Sequence, residues 1–200
     1  MSTTDNPALA AVILAAGSSS RMGQPKQLLV WKGETLIRSI IAKVRAAGIN
    51  TIYVVLGAHA EKVAANIADL PVQTIENPDW ASGMGSSVVA GTRAAMTTQP
   101  EALLFVLVDQ PFVQPELLRQ LLHQYTLHPD AIIVSDYGTH PGVPALFPSF
   151  FFPRLLSLEG DAGARKLLRQ HQGKTISISF PEGNFDLDTP EDWRLLLDNH

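Results

Sequence analysis

The chain has 200 residues, 46% of them hydrophobic, and a formal net charge of −4, which provides enough apolar volume for one continuous core. That charge balance disfavours a general nucleic-acid binder or a polybasic membrane-surface protein. Cysteine is absent, so disulfides, thiolate metal ligands and a cysteine nucleophile are excluded together.

Met1 to Leu9 is polar, lacks Lys and Arg, and contains Asp5 and Pro7, so it does not read as a signal peptide. Residues 1–10 are expected to form a disordered tail on a single domain spanning 1–200. No apolar run approaches the length of a membrane span, and a cytoplasmic location is expected.

The apolar runs Ala11–Leu14, Ile52–Leu56, Leu103–Val108 and Ala131–Val134 read as strands buried on both faces, the habit of a parallel sheet. Between the first two, Leu36, Ile37, Ile40, Ile41 and Val44 keep helical spacing over Thr35–Ala47, and Gly48 supplies the stop. His59–Ala68, Ser86–Met96 and Pro115–Tyr125 read as further helices, the last with Pro115 at its first position. Later, Gly142–Phe147 reads as a strand, Pro148–Leu158 and Ala162–Gln170 as helices, and Thr175–Phe180 as a one-sided strand. Phe150, Phe151 and Phe152 form either an exposed patch or a core anchor. This alternation predicts a doubly wound, mostly parallel α/β sheet in a three-layer α/β/α sandwich.

In such sheets, ligands bind beyond the carboxyl ends of the strands, and the loop after the first strand commonly meets a phosphate. Here that loop is Leu14–Lys26, LAAGSSSRMGQPK. Gly17 and Gly23 permit a tight turn and close backbone approach, and Ser18 to Ser20 and free amides offer donors. Arg21 and Lys26 add full charge, although a solvated surface turn has similar composition. Residues 11–56 hold six basic side chains against one acid, which points to an anionic small molecule. The Walker pattern fails because five residues separate the glycines and no Lys-Ser or Lys-Thr pair follows. GxGxxG is also missing, which disfavours nicotinamide chemistry.

FVLVDQPF ends a buried strand in Asp109, with Pro111 blocking its extension. Near the C-terminus, FDLDTPEDW alternates so that Asp186 and Asp188 share one face, and Thr189 reads as the cap of a last helix. Asp188 either favours that helix dipole or joins Asp109, 79 residues away, at a common sheet edge. Two carboxylates suit a magnesium ion holding a polyphosphate. The six histidines show no zinc-type spacing. Gly83, Gly85, Ser86 and Ser87 stand at the start of another helix, where small residues and free amides suit a base or ribose, or simply a glycine-serine cap.

The stretch Leu14–Lys26 resembles the nucleotidyltransferase signature LAAGxSxRMGxPK, with both cations and both glycines at the expected offsets. NPDWASGMGSS, GVPALF, GDAGARKLL and DLDTPED extend the likeness over roughly residues 11–193. Leu-Ala-Ala-Gly, rather than Leu-Ala-Gly-Gly, makes the chain similar to the molybdenum cofactor cytidylyltransferase branch. That resemblance implies a Rossmann-like nucleotidyltransferase fold and transfer of CMP from CTP to the terminal phosphate of molybdopterin, with pyrophosphate released.

It further implies Arg21 and Lys26 as catalytic cations and Asp109 and Asp188 as Mg2+ ligands. Leu14, Ala15, Ala16, Gly17, Ser18, Gly83 and Ser87 would bind the nucleotide. A molybdoenzyme or its maturation chaperone would receive the product. Another base or acceptor (GTP, or a sugar or polyol phosphate) and a non-catalytic cofactor-delivery role are the alternatives. The sequence departs from many relatives at Thr139-His140-Pro141-Gly142, which bears on His140 as an acceptor contact.

Overall fold

The computed structural model describes residues 8–160, Leu168 and residues 171–199. The expected helix over Ala162–Gln170 lies outside the described residues apart from Leu168. β1 (Leu9–Ala15) begins inside the segment expected as a tail, and Ala10 is already fully buried. A seven-stranded sheet has the order β5 (Gln73–Glu76), β4 (Thr51–Leu56), β1, β6 (Ala102–Leu107), β8 (Pro141–Pro148), β7 (Ile132–Asp136), β9 (Thr175–Ser179). β1 pairs in parallel with both β4 and β6. Only β8 runs against its neighbours. Its reversal follows from the four-residue link after β7, which is too short for a parallel crossover.

β1 is apolar throughout because it is buried on both faces. Ala11, Ile13 and Ala15 join one core, while Ala10, Val12 and Leu14 join the other. The first core takes α1 (Leu36–Ala46) and α4 (Pro115–Leu127), and the second takes α3 (Met84–Ala95). This is the predicted three-layer sandwich. In α1 the five periodic residues are all buried, each contributing roughly 1.5–3 kcal/mol over exposure. Gly48 at φ 103° closes the helix. Its amide donates to Arg45 O and that of Ile49 to Val44 O, the paired bonds of a Schellman stop.

Several elements lie outside the sequence reading. β5 is a short edge strand whose polar residues hide it. β2 (Val30–Trp31) and β3 (Glu34–Thr35) form a small hairpin whose turn residues Lys32 and Gly33 both have positive φ, as a type I′ turn requires. The helix expected over Pro148–Leu158 is a 3-10 turn at Ser149–Phe151 followed by the short α5 (Phe152–Leu155). Phe151 and Phe152 are core residues and Phe150 is exposed, so the triple phenylalanine is mainly an anchor.

Candidate active site

The loop after β1 is held from behind. Gln27, which is fully buried, donates its side-chain amide to Ala15 O at 2.8 Å and to Gly17 O at 3.0 Å. The amide of Ala58 donates to Ala16 O, His59 Nε2 contacts Ser18 O at 2.9 Å, and Ser19 O accepts from the amides of Met22 and Gly23. Five consecutive carbonyls are thus engaged. In each planar peptide the following amide points the opposite way, which is how a backbone cradle for an anion is built. Met22 anchors the loop in the core, and Gly23 turns it at φ 74°.

Past this turn the charged groups converge. Lys26 Nζ donates to Asp109 Oδ2 at 2.5 Å and to Asp188 Oδ1 at 2.9 Å. Arg21 Nη2 donates to Asp188 Oδ2 at 2.7 Å. The Lys26 and Asp109 side chains are 12% and 14% exposed, whereas Arg21 is 69% exposed. Burial alone would lower the Lys26 pKa, but Asp109 and Asp188 outweigh it and hold the ammonium above its ordinary value. For Asp188, burial pushes upward, and Lys26 and Arg21 together bring its carboxyl below the usual range.

The long separation between the aspartates is closed by the backbone. The amide of Leu187 donates to Asp109 O, and Leu187 is fully buried. Thr189 then caps α6 (Pro190–Asn199). The Asp192 amide donates to its Oγ1, while Asp192 Oδ2 accepts from the Thr189 and Asp188 amides. That reciprocal box fixes Asp188 in place. The segment 185–189 is not a strand. Tethering to β6 replaces ladder pairing there, and Asp186 and Asp188 part company: Asp188 meets the cations, and Asp186 lines a different cavity.

A cavity of about 330 Å³ opens beside Lys26 and Asp109, and its lining includes Leu14, Ala15, Ala16, Gly17, Ser18, Gly83 and Ser87. Every residue expected to bind nucleotide therefore borders one space. Trp80 also lines it, packed where a Cβ on Gly57 would come within 2.7 Å. The amides expected to be free at the start of α3 are partly taken. That of Gly85 donates to Gly160 O and that of Ser86 to Gly83 O, because the turn at Gly83 and the approach of Gly160 satisfy them locally.

A second cavity, of about 210 Å³, shares Leu14, Met84 and Leu107 with the first. Phe105, Val143, Ala145 and Phe147 give it an apolar wall, and Tyr137, His140 and Asp186 edge it. Burial pushes the Tyr137 hydroxyl up to about 12. That hydroxyl accepts from Gln110 and donates to Val143 O.

Sequence reading missed Gln27, His59, Asn77 and Tyr137. Asn77 is buried, and its side-chain amide contacts the hydroxyls of both Ser86 and Ser87. No sequence signal marked it, because β5, the strand before it, is itself hidden by polar residues.

The residues present fit a magnesium ion. Asp109 Oδ1 is buried without a hydrogen-bond partner among the described residues, an acceptor left over in a site where costs of about 1–3 kcal/mol attend such groups. Two neighbouring carboxylates match an ion that keeps waters and takes only one or two protein oxygens.

A loop braced after β1, two cations and two carboxylates meet at one edge of a doubly wound sheet that has the nucleotidyltransferase fold. The chain belongs to the MobA-like NTP transferase domain family, which it matches over residues 11–175. It is 35% identical to nicotine blue oxidoreductase of Paenarthrobacter nicotinovorans over 98% of this chain and 100% of that one. It is 28% identical to molybdenum cofactor cytidylyltransferase of Escherichia coli strain K12, covering 93% and 94% of the two chains. Among solved structures, Rv0371c of Mycobacterium tuberculosis H37Rv superposes with a TM-score of 0.83 at 28% identity, covering 97% of this chain and 100% of that one. The same protein in complex with manganese gives 0.74 at 28% identity, covering 96% and 99%. Among the described residues, no helix is long and apolar enough to cross a membrane.

Proposed function

We propose that the protein transfers CMP from CTP to the terminal phosphate of molybdopterin, with or without its metal, and releases pyrophosphate. The supporting observation is the convergence of Arg21, Lys26, Asp109 and Asp188 beside the cavity bordered by residues 14–18. The acceptor phosphate is already ionised at neutral pH, so its oxygen attacks the α-phosphorus of CTP without a general base. One phosphorus–oxygen bond forms as the bond to pyrophosphate breaks. The chain's task is then positioning and charge stabilisation.

The backbone from Leu14 to Ser18 cradles the triphosphate, while Gly83 and Ser87 border the nucleoside. Lys26 and Arg21 offset the charge that builds on the departing pyrophosphate. Asp109 and Asp188 would hold Mg2+, which when bound supplies further positive charge at the α-phosphate. The manganese complex of Rv0371c supports a divalent ion in this fold. The second cavity has an apolar wall of Phe105, Val143, Ala145 and Phe147 among the described residues, which suits the ring system of the acceptor. The reaction belongs in the cytoplasm, with a molybdoenzyme or its maturation chaperone receiving the product.

A second reading takes the redox reaction named for the P. nicotinovorans relative, with the apolar cavity receiving the organic substrate. One screen separates them. CTP, GTP, UTP and ATP are offered with molybdopterin, a sugar phosphate or a polyol phosphate and Mg2+, and pyrophosphate release is recorded. Parallel samples offer nicotine blue as hydride acceptor with NADH or NADPH and follow oxidation of the nicotinamide. Release with CTP and molybdopterin is expected. Release only with another pair moves the substrate assignment, and nucleotide-independent hydride consumption replaces the reading.

A further inference from the structure

The four oxygens of Asp109 and Asp188 are unequally used. Lys26 takes one from each carboxylate, Arg21 takes the second of Asp188, and Asp109 Oδ1 has no hydrogen-bond partner among the described residues. The cluster is therefore electrically balanced as it stands, two cations against two anions. A divalent ion bound to both carboxylates would need an oxygen of Asp188, and both of those already accept from Lys26 and Arg21. The ammonium therefore opposes such an ion by its hold on Asp188 and by like charge.

We propose that Lys26 is the resident cation of the carboxylate pair and keeps a divalent ion out until a nucleoside triphosphate draws its ammonium away, so that metal is taken up only together with nucleotide. This rests on the nucleotidyl-transfer reading. The lysine backbone stays fixed during the exchange, because its amide donates to Ser19 Oγ at 3.0 Å and it begins the 3-10 turn Lys26–Leu28. Only the four-carbon stem has to move, and a Lys head group presents rotatable donors on such a stem. Lys26 borders the same cavity as residues 14–18, so phosphate oxygens bound there compete directly for its ammonium. Arg21, largely exposed, is released in the same way. The device prevents unproductive metal binding to the empty site and couples ion uptake to the charge that needs it.

Mn2+ is titrated into the protein without nucleotide, and the free-ion signal is read by electron paramagnetic resonance. Wild type is expected to bind weakly, Lys26→Met at least tenfold more tightly, and Lys26→Arg as weakly as wild type. Asp109→Asn added to Lys26→Met should abolish the gain, which locates the ion. Circular dichroism checks each fold, and Lys26→Gln serves if the Met variant does not fold. Equal affinity of wild type and the neutral variants overturns the exchange, as does a gain that survives Asp109→Asn. The titration needs no turnover, so the two ideas fail separately. Wild type that transfers nucleotide while the neutral variants bind no more Mn2+ sinks the exchange alone. Tighter binding in an enzyme that transfers no nucleotide sinks the transfer reading alone.

Discussion

The two cavities share a wall at Leu14, Met84 and Leu107 but are built differently. The first is made largely of contiguous backbone, residues 14–18, and of charge. The second is made mainly of side chains from β6, β7's turn, β8 and the stretch before α6, and most of its described lining is apolar. A short motif can specify the first because one loop sets its donors. Only the assembled sheet, with β8 reversed between β6 and β7, creates the second. In the proposed reaction the first would carry the chemistry and the second would select the acceptor.

Substitutions at the two cavities should separate these roles. Asp109→Asn, in the charged cavity, should cut turnover on the order of a hundredfold, about 3 kcal/mol of transition-state stabilisation. Pyrophosphate release at saturating substrates measures it. Ala145→Leu, which fills part of the apolar cavity, should raise the KM for the acceptor about tenfold or more and leave that for CTP within twofold. Equal effects on both would erase the distinction between the cavities. Gln27→Leu removes the donors to Ala15 O and Gly17 O and should cost about 1–3 kcal/mol of stability, read from urea unfolding, along with weaker CTP binding.

The smallest effect lies outside both cavities, at Lys43, whose Nζ donates to Pro111 O, two residues beyond Asp109. Burial first, and then Lys32, lowers the Lys43 pKa from 10.5 to about 8. Between pH 8 and 10.5 the unfolded chain holds this proton and the folded chain does not, so Lys43 makes stability rise with pH there. Lys43→Met should flatten that slope in unfolding midpoints measured at pH 8, 9 and 10. An unchanged slope would discount the burial of this ammonium.

What the sequence discloses follows the same division. The parallel strands β1, β4 and β6 were legible because burial on both faces leaves an uninterrupted apolar run, and α1 because its period and stop agree. Arg21, Lys26 and Asp109 were legible because each follows a strand at fixed spacing. The reversal of β8 was not, since direction depends on pairing partners. Tyr137 and Asn77 were invisible for a related reason: each acquires its role only from neighbours that folding brings near. Asp186 and Asp188 looked equivalent, yet the bond from Leu187 to Asp109 and the Thr189 cap separate them.

In the proposed reaction Lys26, which sits between two carboxylates, drives pyrophosphate departure. CTP turnover by Lys26→Ala, compared with wild type at matched folded fraction by circular dichroism, tests it most directly. A folded variant at least a hundredfold slower is the predicted result. A folded variant that releases pyrophosphate at the wild-type rate would contradict the account.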